Sequence, residues 1–480
     1  MNKIKNSVTA SPEPEVILIR PSIQDWGIQS YMRSITIPHG ILTLAAHLIS
    51  KGITVALIDE AAEQDPDNKL RQYLKKRTPV CVGISAISGK QIENGIRFSS
   101  IVRGFDQNIP IVWGGSHPTI LPEMTARDPL VDIVVYGEGD LSFPELVQRL
   151  IMNKSFEDIN GLCFANDANK LIKTNPAPEY NINEIPDLPY HLLKMEKYIL
   201  GKKKKYITRY FEVVSSKGCS FKCSFCYNSI KQTKYSKKNL DKIMNDIRFL
   251  VDNYNIDGLS FMDENFTIDQ KRIIDICLQL IKMNIKLHIR AGGRVDLFSK
   301  FDNETIEIMK KAGFYHFAFG IESGSPKTLE MMNKKITLDQ IYQVIETINK
   351  NGFMATYNFM GGIPHETIAE YKKTLKLIYN IFQNSRHIIF PIMGPSYYTP
   401  FPGTVLFDQA VETGHIPPDN LGDWSNVAYI NKDVDMPWIS DEFKALMVKS
   451  RQVIVEINKK FTGYDASITD ADLFPLKELF

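Results

Sequence analysis

The chain has 480 residues, too many for one ordinary domain and enough for about three. Its 44% hydrophobic and 23% charged content is that of a globular protein with ample core. With 57 basic against 55 acidic residues the net charge is +2, so no global field argues for nucleic acid. The run Lys202-Lys203-Lys204-Lys205 is basic only locally and reads as a solvated linker. No apolar stretch approaches the ~18–20 residues that span a bilayer, and residues 1–14 form a polar tail without a signal-peptide core. A reducing cytoplasm is therefore expected. It suits the six cysteines, of which Cys81, Cys163 and Cys277 fall in apolar segments and read as core thiols.

From residue 15 to 155, short β-branched runs alternate with amphipathic stretches. The pattern predicts strands at Val16–Arg20, Ile53–Asp59, Val80–Ile84, Ile109–Trp113 and Asp132–Tyr136. Between and after them it predicts helices around Gly40–Ser50, Lys69–Lys75, Gln91–Arg103, Leu121–Thr125 and Ser142–Met152. Such alternation implies βαβ units and a parallel sheet covered on both faces, a flavodoxin-like (Rossmann-type) domain with its ligand beyond the carboxyl ends of the strands. Residues 156–205 read as a hairpin, Gly161–Lys173 with its turn at Asn166-Asp167-Ala168-Asn169, followed by a linker bearing Pro176, Pro178, Pro186 and Pro189.

A second alternation fills 206–400. Its strands are expected at Phe211–Ser215, Gly258–Met262, Lys286–Ala291, His316–Ile321, Met354–Met360 and His387–Met393. Helices are expected at Leu240–Val251, Asp269–Lys282, Asn303–Lys311, Leu338–Lys350 and Ile368–Ile381. Six β/α units are too few for a closed eight-stranded barrel, so a partial TIM barrel is expected, with its chemistry at the strand carboxyl ends. Residues 401–480 form a mostly helical extension that includes Asp441–Lys460.

Three cysteines cluster directly after the first of these strands, in Gly218-Cys219-Ser220-Phe221-Lys222-Cys223-Ser224-Phe225-Cys226-Tyr227. Structural zinc sites want four protein ligands, and no histidine lies within thirty residues downstream of Cys226. A zinc knot would need a distant fourth ligand. A three-thiolate iron–sulfur cluster leaves one iron open instead. The CxxxCxxC spacing resembles the signature of the radical SAM enzymes. In that family three cysteines hold a [4Fe-4S] cluster and S-adenosylmethionine (SAM) chelates the fourth iron, with an aromatic residue, here Phe225, bordering the adenine. The resemblance also implies a six-unit partial barrel and a reductant such as flavodoxin or ferredoxin.

Later strand ends carry the remaining candidates. Asp263-Glu264-Asn265-Phe266 follows the second strand, where helix caps are the plain reading. The resemblance sets Asp263 or Glu264, without choosing, against the SAM amino group. Arg294 in Gly292-Gly293-Arg294-Val295-Asp296 suits a bidentate clamp on the SAM carboxylate, or a surface ion pair with Asp296. Glu322 and Ser323 in Gly320-Ile321-Glu322-Ser323-Gly324, and Gly361 in Gly361-Gly362-Ile363-Pro364, resemble the family's ribose-side and adenine-side segments.

In the first domain Ser85, Gly114-Gly115-Ser116-His117 and Gly137-Glu138-Gly139 sit at three successive strand ends, where glycines leave room for a bulky planar ligand. With Pro38-His39-Gly40 the set is similar to the cobalamin-binding domains found ahead of many radical SAM cores. Many of those domains carry Asp-x-His-x-x-Gly, whose histidine ligates cobalt. Pro21-Ser22-Ile23-Gln24-Asp25-Trp26-Gly27 has no histidine; His39 and His117 remain conceivable ligands, and the other reading is a lower cobalt face occupied by water, an apolar side chain or nothing.

The resemblance therefore implies a cobalamin-dependent radical SAM enzyme. A 5′-deoxyadenosyl radical abstracts hydrogen from an unactivated carbon, which then takes a methyl group from methylcobalamin. The alternatives are a radical SAM cyclase or rearrangement enzyme in which cobalamin delivers no methyl, and a non-catalytic iron–sulfur electron-transfer scaffold. The substrate is a small molecule or a peptide, with Tyr397, Tyr398, Trp424 and Trp438 as candidate pocket aromatics; no nucleic acid or membrane partner is expected.

Overall fold

The computed structural model describes residues 13–23, 35–166, 168–199, 209–231, 234–384, 392–427, 436–460 and 469–480. Gln24 to Gly27, Asp167, Lys202 to Lys205 and His387 lie outside the described residues. The chain divides into two compact units, Met1–Tyr198 with Pro418–Ala428, and Ile199–Pro417 with Tyr429–Phe480.

Unit 1 runs β1 (Val16–Arg20), α1 (His39–Ser50), β2 (Val55–Asp59), α2 (Pro66–Lys76), β3 (Cys81–Ser85), α3 (Lys90–Phe105), β4 (Ile111–Gly114), α4 (Ser116–Ile120), α5 (Pro122–Ala126), β5 (Ile133–Val135), α6 (Gly139–Ile151), β6 (Leu162–Ala165) and β7 (Leu171–Lys173). The sheet order is β2-β1-β3-β4-β5-β6-β7, with β1 to β5 parallel. Val16 to Ile19 are buried on both faces, as expected of a parallel strand covered by helices. The helix expected around Leu121–Thr125 is α5, and a short helix that was not expected, α4, precedes it. Pro122 starts α5 at its first helical position, where a missing N–H costs nothing.

The hairpin expected at Gly161–Lys173, outside the first domain, belongs to that domain's sheet. β6 pairs antiparallel to β5 through Ile133↔Phe164, Val134↔Cys163 and Val135↔Leu162. Leu162, Cys163 and Phe164 are all buried, so releasing the hairpin would expose core. The region 401–480 is also not one extension, because Pro418–Ala428 returns to unit 1 and buries Trp424 to 1% exposure.

Unit 2 begins with β8 (Tyr210–Val213). A two-stranded ribbon of β9 (Ser216–Lys217) and β10 (Ser236–Lys237) brackets α7 (Asn228–Lys231). Then come α8 (Leu240–Tyr254), β11 (Gly258–Phe261), α9 (Gln270–Lys282), β12 (His288–Gly293), α10 (Val295–Phe298), α11 (Asn303–Lys311), β13 (Phe314–Glu322), α12 (Pro326–Met331), α13 (Leu338–Asn351), β14 (Met354–Gly361) and α14 (Ile368–Asn384). β15 (Met393–Tyr397), α15 (Val405–Glu412), α16 (Asp441–Lys460) and α17 (Asp470–Lys477) complete it. The six strands pair in parallel in the order β8-β11-β12-β13-β14-β15, an open barrel arc.

Helices are fixed locally as well as by packing. α13 opens with a capping box between Thr337 and Gln340 and stops at Gly352, whose φ is +70°. Phe298 on α10 packs on Phe317 and Phe319 of β13 at 5.0 and 5.1 Å between ring centroids. That pins one face of β13 to the helical layer. Most of the sixth strand expected at His387–Met393, residues 387–391, lies outside the described residues; β15 is described from Met393 and pairs through Asn358↔Met393, Met360↔Ser396 and Gly361↔Tyr397. No helix among the described residues is long and apolar enough to cross a membrane. Cys81, Cys163 and Cys277 are buried free thiols, and burial pushes Cys81 and Cys277 up to about 12.

Candidate active site

In unit 2 the chain leaves β8 and is latched at once. Asp263, just after β11, has its carboxylate fully enclosed. It accepts the Ser215 N–H and Oγ–H, each at 2.7 Å, the Ser216 hydroxyl at 2.5 Å and Arg272 Nη2 at 3.2 Å. Both its oxygens are engaged in holding the β8 exit to β11 and α9. Glu264 points differently: it accepts the backbone N–H of Gly218, lies 3.9 Å from Lys231 Nζ and keeps 28% of its side chain exposed. The two carboxylates that the sequence left equivalent are thus separated into a buried latch and a loop-facing group.

The cysteine loop follows. Cys223 is buried, while Cys219 and Cys226 are half-buried. Backbone bonds close the loop, from Cys226 N–H to Cys223 O at 3.1 Å and from Ser229 N–H to Cys226 O at 3.0 Å. From outside, the turn after α12 grips it. Asn333 Nδ2 donates to Lys222 O at 2.6 Å, and Ser224 N–H donates to Met332 O at 2.9 Å. Burial, with the charges of Cys223 and Cys219 beside it, pushes the Cys226 thiol up to about 11.

Arg294 is not at the surface. It is 6% exposed, bonded to Asp296, to the Lys334 carbonyl and to Cys223 Sγ. The expected surface ion pair is a buried one, because β12 carries Arg294 in under the cysteine loop. Glu322 ends β13 at φ +69° and accepts Lys334 Nζ at 2.8 Å, and that ammonium lies 5.8 Å from the centre of the Phe225 ring. Ser323 is fully buried; its Oγ lies 2.8 Å from Thr374 Oγ1 and accepts the Ser325 N–H at 3.1 Å, so it braces the turn into α12. Gly361 ends β14 against the Tyr371 ring, where a Cβ would come within 2.5 Å of a ring carbon.

Of the candidate aromatics, Tyr398 and Trp438 meet edge-on at 6.1 Å, and Tyr397 lies under Arg451. Trp424 belongs to unit 1 and packs there.

In unit 1 the expected residues meet at one sheet edge. Ser85 ends β3 and pairs in register with Gly114 at the end of β4, while Gly137, Glu138 and Gly139 lead from β5 into α6. Gly115 has φ +97°, and a Cβ there would lie 2.7 Å from the Ala86 carbonyl oxygen, so close backbone approach dictates this glycine. Gly137, at φ +80°, has open space beside it. His117 is 1% exposed, with Nδ1 3.0 Å from Ser88 Oγ and its ring 5.5 Å from Trp424. Its Nε2 has no hydrogen-bond partner among the described residues. Burial holds this imidazole down at about 4, so it is neutral at neutral pH.

Comparison with known proteins decides the family. The radical SAM superfamily profile matches residues 213–378, and the B12 binding domain profile matches residues 29–147. An uncharacterized methyltransferase of Pyrococcus horikoshii is 31% identical over 400 residues, covering 83% of each chain. The chain belongs to the radical SAM family. It is a cobalamin-dependent member, with a B12-binding domain ahead of the radical SAM core. The anaerobic magnesium-protoporphyrin IX monomethyl ester cyclase of Rubrivivax gelatinosus is 26% identical over 378 residues, 78% of this chain and 66% of that one. The fold matches that of the cobalamin-dependent S-adenosylmethionine radical enzyme OxsB with a TM-score of 0.71 at 17% identity, over 97% of this chain and 75% of that one.

The residues of this radical SAM enzyme fit its cofactors. Three free thiols on one loop, where burial and then the neighbouring Cys223 and Cys219 raise the Cys226 thiol, are a donor set that a cationic cluster relieves. No three or more His, Cys, Asp or Glu side chains among the described residues are gathered tightly enough for one metal ion. A cluster makes a different demand, one thiolate per iron. In unit 1 the unpartnered His117 Nε2 and the open flank of Gly137 fit a polar-rimmed ligand such as cobalamin. Sequence reasoning missed Lys334, Asn333 and Phe221. Their signal is faint: Asn333 and Lys335 have positive φ after a short helix, which no spacing rule flags. It also missed Glu366, whose buried carboxyl accepts the Gly362 N–H at 2.7 Å and is pushed up to about 7 by burial.

Proposed function

We propose that this radical SAM enzyme transfers a methyl group to an unactivated carbon of a small molecule or peptide. The observation that carries the reading is a three-thiolate loop, with no fourth cysteine or histidine close by in sequence, in a chain that also holds a B12-binding domain. Cys219, Cys223 and Cys226 hold the cluster. Glu264, the carboxylate with exposure left, faces the SAM ammonium, while Asp263 and Ser323 act as supports behind it. Phe225 borders the adenine, Gly361 shapes the adjoining turn, and Lys334 with Glu322 offers a fixed charge pair beside them. Ser85, Gly114, Gly115, His117, Gly137, Glu138 and Gly139 form the cobalamin edge. Bound there, the cluster supplies the electron that cleaves SAM into a hydrogen-abstracting radical, and cobalamin supplies the methyl group. The electron comes from a reductant of the flavodoxin or ferredoxin type, in the cytoplasm.

The cyclase relative in Rubrivivax gelatinosus favours one rival, in which cobalamin delivers no methyl. Product analysis separates the two. After anaerobic reconstitution with iron, sulfide and hydroxocobalamin, and reduction in the presence of SAM, S-adenosylhomocysteine is expected alongside 5′-deoxyadenosine. Deoxyadenosine alone, with corrin bound, would sink methyl transfer and favour the cyclase reading. Neither product would leave only an electron-transfer scaffold.

A further inference from the structure

Arg294 has the chemistry of a SAM carboxylate clamp but not the surroundings of one. Its guanidinium reaches three partners at once. Nε donates to Asp296 Oδ1 at 2.9 Å, Nη2 to the carbonyl of Lys334, and Nη1 to Cys223 Sγ at 3.4 Å. The planar group also lies over the Phe221 ring, 3.6 Å from its centre. Its own backbone is tied down as well, the N–H donating to Thr267 Oγ1 at 3.1 Å. Two of these partners, Phe221 and Cys223, belong to the cysteine loop. A third, Lys334, belongs to the turn that grips that loop through Asn333 and Met332. Little of the guanidinium is left to meet a ligand, since the residue is 6% exposed.

A guanidinium stays charged at any working pH, and its fork directs N–H groups at fixed angles. An N–H aimed at the sulfur of a cluster ligand, and a positive charge beside it, both stabilise the electron-richer state of the cluster. Hydrogen bonds to sulfur, net charge and solvent exposure are the protein's levers on such potentials. Asp296 offsets part of the charge but not the directed N–H···S contact. Burial keeps water from screening either.

We propose that Arg294 is a positioning residue that raises the reduction potential of the cluster through Cys223, so easing the cluster's uptake of an electron from the external reductant. The inference rests on the cluster being held by these cysteines, but not on methyl transfer or on cobalamin.

The test compares Arg294→Gln with the wild type and with Arg294→Lys, using the reconstituted full chain. Midpoint potential is read by EPR-monitored titration, SAM affinity by equilibrium binding to the oxidised protein, and cluster content by iron and sulfide analysis. Arg294→Gln is expected to load a cluster whose midpoint lies at more negative potential, with SAM affinity within about twofold of wild type. Arg294→Lys, which keeps the charge but loses the fork, is expected between the two. A loaded Arg294→Gln cluster at the wild-type potential would overturn the proposal and leave only a structural pin. An unchanged potential with a tenfold or greater loss of SAM affinity would overturn it in favour of the clamp. Should Arg294→Gln load no cluster, Asp296→Asn carries the test, because it removes the counter-charge and leaves the guanidinium. Its midpoint is expected to move the opposite way, to less negative potential, and no movement or a fall would overturn the proposal.

Discussion

Both units are parallel α/β sheets with their candidate ligand groups at the carboxyl ends of the strands, yet they treat polar side chains there in opposite ways. In unit 2 nearly every charge near the loop is matched inside the protein: Asp263 with Arg272, Arg294 with Asp296, Lys334 with Glu322. In unit 1 the corresponding edge is mostly glycine and small polar groups, with one neutral histidine that leaves a nitrogen unused. A loop that must hold three thiolates together needs its frame fixed and its charges compensated beforehand. An edge that receives a large, preformed ligand needs space and a few unspent polar atoms instead.

The largest expected effect tests the independence of the two edges. Cys223→Ala is expected to abolish the cluster and all reductive SAM cleavage while hydroxocobalamin binding stays within about twofold of wild type. Loss of corrin binding in that variant would break the comparison.

Next in size is the contrast between neighbouring carboxylates. Asp263→Ala leaves Arg272 buried without its anion and is expected to cost unit 2 about 3–5 kcal/mol in denaturant unfolding. Glu264→Gln, half-exposed and lightly bonded, is expected to cost under about 1 kcal/mol and to act on SAM binding instead. Equal destabilisation by both would erase the division into latch and ligand.

Acid and base should also tell the units apart. His117 is held at about 4 against 6.5 for a free imidazole, so the unfolded chain takes up a proton that folded unit 1 refuses. Its contribution is present above pH 6.5 and is lost as pH falls through 4. Glu366 is raised to about 7 from 4.5, so folded unit 2 binds its proton more tightly than the unfolded chain does. That contribution is present below pH 4.5 and is lost as pH rises through 7. Each is worth on the order of 3 kcal/mol over its window. Thermal unfolding against pH is expected to lose its acid limb in His117→Gln and its neutral limb in Glu366→Gln.

The smallest effects concern the glycines of unit 1. Gly115→Ala meets the Ala86 carbonyl and a left-handed φ together, and is expected to cost about 2–3 kcal/mol. Gly137→Ala meets only the unfavourable φ and is expected to cost about 1 kcal/mol in the same melts. Equal costs would remove the distinction between a glycine required by packing and one beside open space.

How far these features could be read beforehand follows the same division. Strand and helix rhythm, and the three cysteines, are local patterns, so both sheets and the cysteine loop were legible. The hairpin's place in the first sheet was not, because only long-range pairing of Phe164 with Ile133 decides it. Likewise nothing near Asp263 announces that Ser215, Ser216 and Arg272 will consume its oxygens, and nothing near Arg294 points to Cys223, 71 residues earlier. Residue type suggested ligand chemistry at both positions. Burial and partners, which arise from folding, turned Asp263 into a latch and Arg294 toward a sulfur.

The pairing of a thiolate-held cluster with a separate corrin edge is tested most directly by metal analysis of the anaerobically reconstituted chain after desalting. About four irons and about one cobalt per chain are expected, with cobalt retained when Cys219, Cys223 and Cys226 are all replaced by alanine. Iron without cobalt in the wild type, or cobalt lost together with iron in the triple variant, would contradict it.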